Sequence, residues 1–291
     1  MKKIVTTILD KTFIPLQHFW DGKQVAKYQS MLLLSVFTFC MATSLINHYH
    51  FFPLPSLLGQ IHFLQSIEIS FTILLFFEMV SLVFVIPQSI ANSIGKQIEI
   101  LSLILLRSSF KEFSHYEFNI PIENQLDSVF KMVSDGVGSL VIFLFLSFYY
   151  GIQKHKSITL EEDKIKFLHL KQIIALLVLL ALTVLQVSDI IHMVDAGSWK
   201  QSIDQFYMIL IFADLLFMLA AFRYSLHYPD IFRYSAFVLV TVFIRLSLMA
   251  PVYYNALIGI FSSIFAIGVV YFHNIFNAGN SNYNNKGTLQ K

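Results

Sequence analysis

The sequence predicts an all-α fold: a polytopic helical membrane protein with about eight transmembrane helices, arranged as two parallel four-helix repeats. Composition, the length of the apolar runs and an internal alignment carry that expectation. Of 291 residues, 56% are hydrophobic and 13% are charged, about half the charged share of a soluble globular domain. The apolar runs reach the roughly 20 residues that a helix needs to cross a bilayer. They are also far longer than the alternating strands of an outer-membrane barrel. The net charge of +2, with no basic stripe, excludes a nucleic-acid partner.

Read in order, residues 1–28 carry charges throughout and lack the apolar core of a signal peptide. They are expected to form a cytoplasmic or interfacial segment, with Phe13, Phe19 and Trp20 at headgroup depth. The first repeat, 29–153, holds spans at 30–49, 66–87, 91–110 and 136–153. The third of these is the least apolar because it contains Lys96 and Glu99. A Lys- and Glu-rich stretch, 154–168, is the expected linker. The second repeat, 169–276, holds spans at 169–192, 204–224, 231–250 and 253–275, and the polar tail 277–291 is expected to be disordered. With both ends on one side, fifteen of the twenty Lys and Arg residues fall on that side. The positive-inside rule makes it the cytoplasm, so a multi-pass plasma (inner) membrane protein with cytoplasmic termini is expected. The single cysteine, Cys40, lies in the first span and has no intramolecular disulfide partner.

The internal alignment is the most informative feature. QSIEISFTILLFFEMV (65–80) aligns without a gap to QSIDQFYMILIFADLL (201–216), with six of sixteen positions identical. Glu68 then matches Asp204, and Glu78 matches Asp214. The next span ends ILLRSSF in the first half and VFIRLSL in the second, which matches Arg107 to Arg245 and Ser109 to Ser247. Four helices per unit keep both halves in the same orientation, which makes the repeats parallel.

Charged groups at membrane depth are costly, so they face the bundle interior and find partners. Two antiparallel helices bring residues to one depth when these are equidistant from the turn. Asp214 and Arg245 share a midpoint at 229–230, in the loop LHYPD. Glu78 and Arg107 share one at 92–93; a turn nearer Pro87 would instead bring Glu99 level with Glu78 and Arg107 towards Glu68. The candidate ion-path or buried charge-pair residues are therefore Glu78, Arg107, Asp214, Arg245, Glu99 and Lys96. Glu68 and Asp204, about 15 Å from the central acids at 1.5 Å per residue, are expected near the outer interface.

FFEMVSLVFVIPQSIANSIGKQIEILSLILL (76–106) resembles the second and third helices of voltage-sensor domains, with an aromatic beside an acid (Phe77–Glu78) and a second acid, Glu99, about twenty residues on. The resemblance covers roughly 30–150 and, more loosely, 169–275. It implies four-helix units with cytoplasmic ends. Neither GVGSLVIFLFLSFYYG nor LIGIFSSIFAIGVVYF carries an arginine every third residue, and Phe237 stands where Glu99 would recur. The implied unit therefore lacks the sensing ladder.

His48, His50 and His62 fall around one outer loop, where histidines ordinarily meet water, and no metal site is expected there. Asp189 and His192 share a helical face as an expected hydrogen-bonded pair. No HExxH, GxSxG, Walker or Rossmann pattern occurs, so neither an enzyme nor a cofactor is expected. The lipid bilayer is the expected partner, with a homo-oligomer or a partner subunit in the membrane left open. Two functional readings stand: a channel-like protein moving ions or protons past the acids, and a non-conducting scaffold whose acid–arginine pairs are structural.

Overall fold

The computed structural model describes residues 13–48, 65–114, 121–153, 162–196, 202–224 and 228–288. Among them there is no strand. The helices are α1 (13–20), α2 (Lys23–His48), α3 (Gln65–Val85), α4 (Ile90–Ser114), α5 (Leu126–Ile152), α6 (Glu162–Ala196), α7 (Ile203–Tyr224), α8 (Tyr228–Met249) and α9 (Tyr254–Thr288), with one 3-10 turn, Ile122–Gln125, leading into α5. Seven of them (α2, α3 and α5 to α9) are long and apolar enough to cross a membrane. The chain is an all-α, polytopic helical membrane protein.

The eighth expected span, α4, is 25 residues long but carries Lys96, Glu99, Arg107 and Lys111. These keep it out of the apolar set. Its path is nonetheless a full pass of the bundle. Near its end Lys111 meets Glu68 in the first turn of α3. Along α5 it is tied at Ala91 to Tyr149, at Ser102 to Ser139 and at Ser109 to Met132. It buries Ile94, Ile98, Leu101 and Leu105. Its charges lie among protein partners, as polar groups at this depth require.

Two apolar cores share the interior. Phe13, Leu82, Val83, Leu182, Phe206 and Leu210 join α1, α3, α6 and α7; Ile94, Ile98, Leu101, Ile142, Ile244 and Ala266 join α4, α5, α8 and α9. Small residues let α5 and α9 cross closely: a Cβ placed on Gly138 would lie 2.5 Å from the Cβ of Ala256. Outward-facing Leu140, Phe143, Leu177, Leu180 and Phe272 are exposed, which suits lipid as the solvent.

Three details add to the sequence reading. Phe13 and Trp20 pack onto the bundle: Phe13 is buried, and Trp20 donates to Ser81 Oγ at 3.0 Å beside the Phe77 and Phe84 rings. Burial against α3 satisfies both the ring and the N–H of the indole. Of the three aromatics, Phe19 alone stays exposed. α6 starts inside the expected linker, at Glu162, and α9 continues past 276 to Thr288. Once a helix is nucleated, each added residue gains a backbone hydrogen bond.

Four serine bonds occupy matched positions. Ser109 Oγ donates to Met132 O at 2.7 Å, and Ser247 Oγ to Asn255 O at 2.6 Å. Ser139 Oγ donates to Ser102 O at 2.7 Å, and Ser262 Oγ to Val240 O at 3.2 Å. From Ser109 to Ser247 and from Ser102 to Val240 the step is 138 positions; from Met132 to Asn255 and from Ser139 to Ser262 it is 123. Gly136 and Gly259, again 123 apart, each face the matched serine hydroxyl.

Candidate functional site

Glu78 sits past the middle of α3 and is 7% exposed. It is in an ion pair with Arg107 of α4, whose side chain keeps 17% exposure. About three turns towards the start of α3, Glu68 pairs with Lys111 at 3.2 Å. A cleft of about 380 Å³ lies here, lined by Glu68, Arg107, Ser108 and Lys111 from the first half and by Asp204 and Tyr207 from the second. Glu68 and Asp204, matched in the sequence alignment, share this one cleft.

Asp214 and Arg245 form the second pair, with Nε to Oδ2 at 4.0 Å. Arg245 is fully buried, and none of its three guanidinium nitrogens has a hydrogen-bond partner. Asp214 also lies within electrostatic reach of Lys171 of α6 and beside Thr241. Lys171 is itself buried and donates to Gln88 O at 3.1 Å. A small cavity of about 40 Å³ is lined by Asp214, Lys171, Thr241, Ser93, Gln97 and Tyr234 among others. It lies at the end of the bundle where α3 finishes and α4 and α8 begin. The larger cleft lies at the opposite end, where α3 and α7 begin. Arg245 lines neither. It stands within electrostatic reach of Tyr207 on the cleft side and of Asp214 on the cavity side.

The structure therefore joins Glu78 with Arg107 and Asp214 with Arg245. It does not bring Lys96 and Glu99 to them. These two pair with each other at 2.8 Å, half exposed. Lys96 is eleven residues from Arg107, about 16 Å along the helix, and so sits at the bundle's end. The expected Asp189–His192 pair also gives way. Asp189 is buried and accepts from the backbone N–H and hydroxyl of Ser202, capping the start of α7, while His192 is exposed. Among the described residues no group of three or more His, Cys, Asp or Glu is placed to hold a metal. His50, His62 and the His48 side chain lie outside the described residues.

Two buried charged residues escaped the sequence reading. Asp135 is fully buried in α5, where its Oδ1 accepts from Asn255 Nδ2 at 3.0 Å and Ser108 stands beside it. It lies one position before the apolar run that marked the span. The signal that could have found it is an acid set among small residues, in SDGVGS. Lys171 stands near the start of the 169–192 span with apolar residues around it in FLHLKQIIALL. Compared with protein-family models, with curated proteins and with solved structures, the chain finds no match in any of the three.

Proposed function

We propose that this integral membrane protein is channel-like and moves ions or protons through two related four-helix units, α2–α5 and α6–α9. One observation carries the reading. A cleft and a small, mostly apolar cavity that holds Asp214 and Lys171 lie at opposite ends of the same bundle, and Tyr207, Arg245 and Asp214 link them. Intramembrane carboxylates with basic partners commonly serve as relays or ion sites. Arg107, paired with Glu78, forms part of the wall at one end, and Asp214 lines the recess at the other. The equal steps between the serine bonds, together with the acid and arginine alignment, support descent of both units from one.

With α4 counted as a pass, eight passes return both termini to one side, and the lysine and arginine distribution makes that side the cytoplasm of a plasma (inner) membrane protein. A voltage-driven switch is not part of the proposal. One charge moved through the field yields only about 2.3 kcal/mol per 100 mV, and neither fourth helix has an arginine ladder. The scaffold reading is favoured by one observation, the complete burial of Arg245.

Purified protein in sealed liposomes under imposed proton, sodium, potassium or chloride gradients separates the two. Flux in the wild type that is lost in a monodisperse Glu78→Gln/Asp214→Asn variant supports the conduit. No flux from a well-folded wild type leaves the scaffold.

A further inference from the structure

The cleft at the α3 and α7 starts is much larger than a bare inorganic ion requires. Its volume of about 380 Å³ falls in the range of small-molecule sites, roughly 300–1,000 Å³. Its lining carries two acids and two bases, but both bases are already in ion pairs, Lys111 with Glu68 and Arg107 with Glu78 behind the wall. Asp204 makes no ion pair among the described residues and is the lining charge left for a ligand. It also holds Tyr207, which is 2% exposed and whose hydroxyl makes no hydrogen bond among the described residues. Tyr207 lines the cleft, where its hydroxyl can accept from a ligand donor. Around these polar groups Phe71, Leu75, Ile104 and Leu248 supply apolar wall.

We propose that this cleft binds a small organic compound with a primary ammonium head and an apolar body. The ammonium donates to the carboxylate of Asp204 and to the Tyr207 hydroxyl, while the body lies against Phe71, Leu75 and Leu248. Charge-assisted hydrogen bonds of this kind are the strong ones, and the apolar wall adds the area that fixes orientation. A quaternary ammonium offers no N–H and binds more weakly. Sodium offers no apolar surface and does not compete. The inference deepens the transport reading, since it names the compound that enters the path. The cleft itself exists whether or not anything is carried across.

Calorimetric titration of the full chain in detergent, with no gradient, tests it. The probes are butylammonium chloride and tetramethylammonium chloride against a sodium chloride blank of equal ionic strength. The expected result is saturable butylammonium binding, weakened on the order of tenfold in Asp204→Asn and in Tyr207→Phe. Asp127→Asn, which alters an exposed acid that does not line the cleft, leaves it unchanged. Leu75→Trp fills the cleft and abolishes binding without touching a charge, which covers the case that an Asp204 variant fails to fold. No heat from the wild type, equal binding of tetramethylammonium, or binding indifferent to both Asp204→Asn and Leu75→Trp overturns the proposal. Binding without liposome flux would uphold the site and remove transport. Flux without butylammonium binding would do the reverse.

Discussion

The two acid–arginine pairs occupy matched positions in the two halves of the chain, yet their surroundings differ. Glu78 and Arg107 are in direct contact, and Arg107 turns part of its surface to a cleft large enough to hold water. Asp214 and Arg245 stand 4.0 Å apart, with the guanidinium wholly enclosed and its nitrogens unsatisfied, while Lys171 approaches the same acid. Two cations around one carboxylate hold it from both sides. What an intramembrane pair does thus depends less on its residue types than on its access to water. A pair beside a cleft can exchange partners with solvent or ligand. An enclosed pair also holds its helices in register, because separating the charges there leaves each one unscreened, and only its Asp214 side opens on a cavity.

The sharpest break between the pairs comes from removing each acid in turn. Asp214→Ala leaves Arg245 buried with no counter-charge and should destabilise the protein by about 3–5 kcal/mol, seen as a large fall in the thermal unfolding midpoint in detergent. Glu78→Gln should cost only about 1–2 kcal/mol, since Arg107 can extend along its aliphatic stem towards the cleft. Equal losses would mean that both pairs are enclosed. Next in size, Ser109→Ala and Ser247→Ala each remove one hydroxyl bond to the following helix and should each cost about 1 kcal/mol. Because these bonds sit at equivalent positions, the two losses should agree, and a clear difference would show that the halves pack differently around them. The smallest effect belongs to Lys96→Gln, which removes a half-exposed pair at the end of α4 and should change stability by less than about 1 kcal/mol.

Both central pairs were legible because a helical hairpin with a short turn converts sequence spacing into depth. Even so, equal spacing was only a guide. The turn after α3 spans 86–89, so equal depth sets Lys111 against Glu68 to within about one turn, whereas the Arg107–Glu78 contact departs from it. Lys96 and Glu99 were legible as charges on α4 but not as surface groups, because apolar content alone does not say where a helix leaves the bundle. Asp135 and Lys171 were hidden for a related reason. Asp135 stands just before an apolar run and Lys171 near the start of another, and the partner of Asp135, Asn255, is 120 positions away. No local pattern encodes a contact of that kind. The fold class needed only composition and run length, and so it was the most readable feature of all.

The central claim is that the Glu78–Arg107 pair belongs to a path and not to the frame. Flux in sealed liposomes and thermal unfolding, measured on the same preparation of Glu78→Gln, test it most directly. The account predicts that flux is lost while the unfolding midpoint stays close to that of the wild type. A midpoint that falls as far as that of Asp214→Ala, with flux declining only in proportion to the folded fraction, would contradict it and return the pair to the frame.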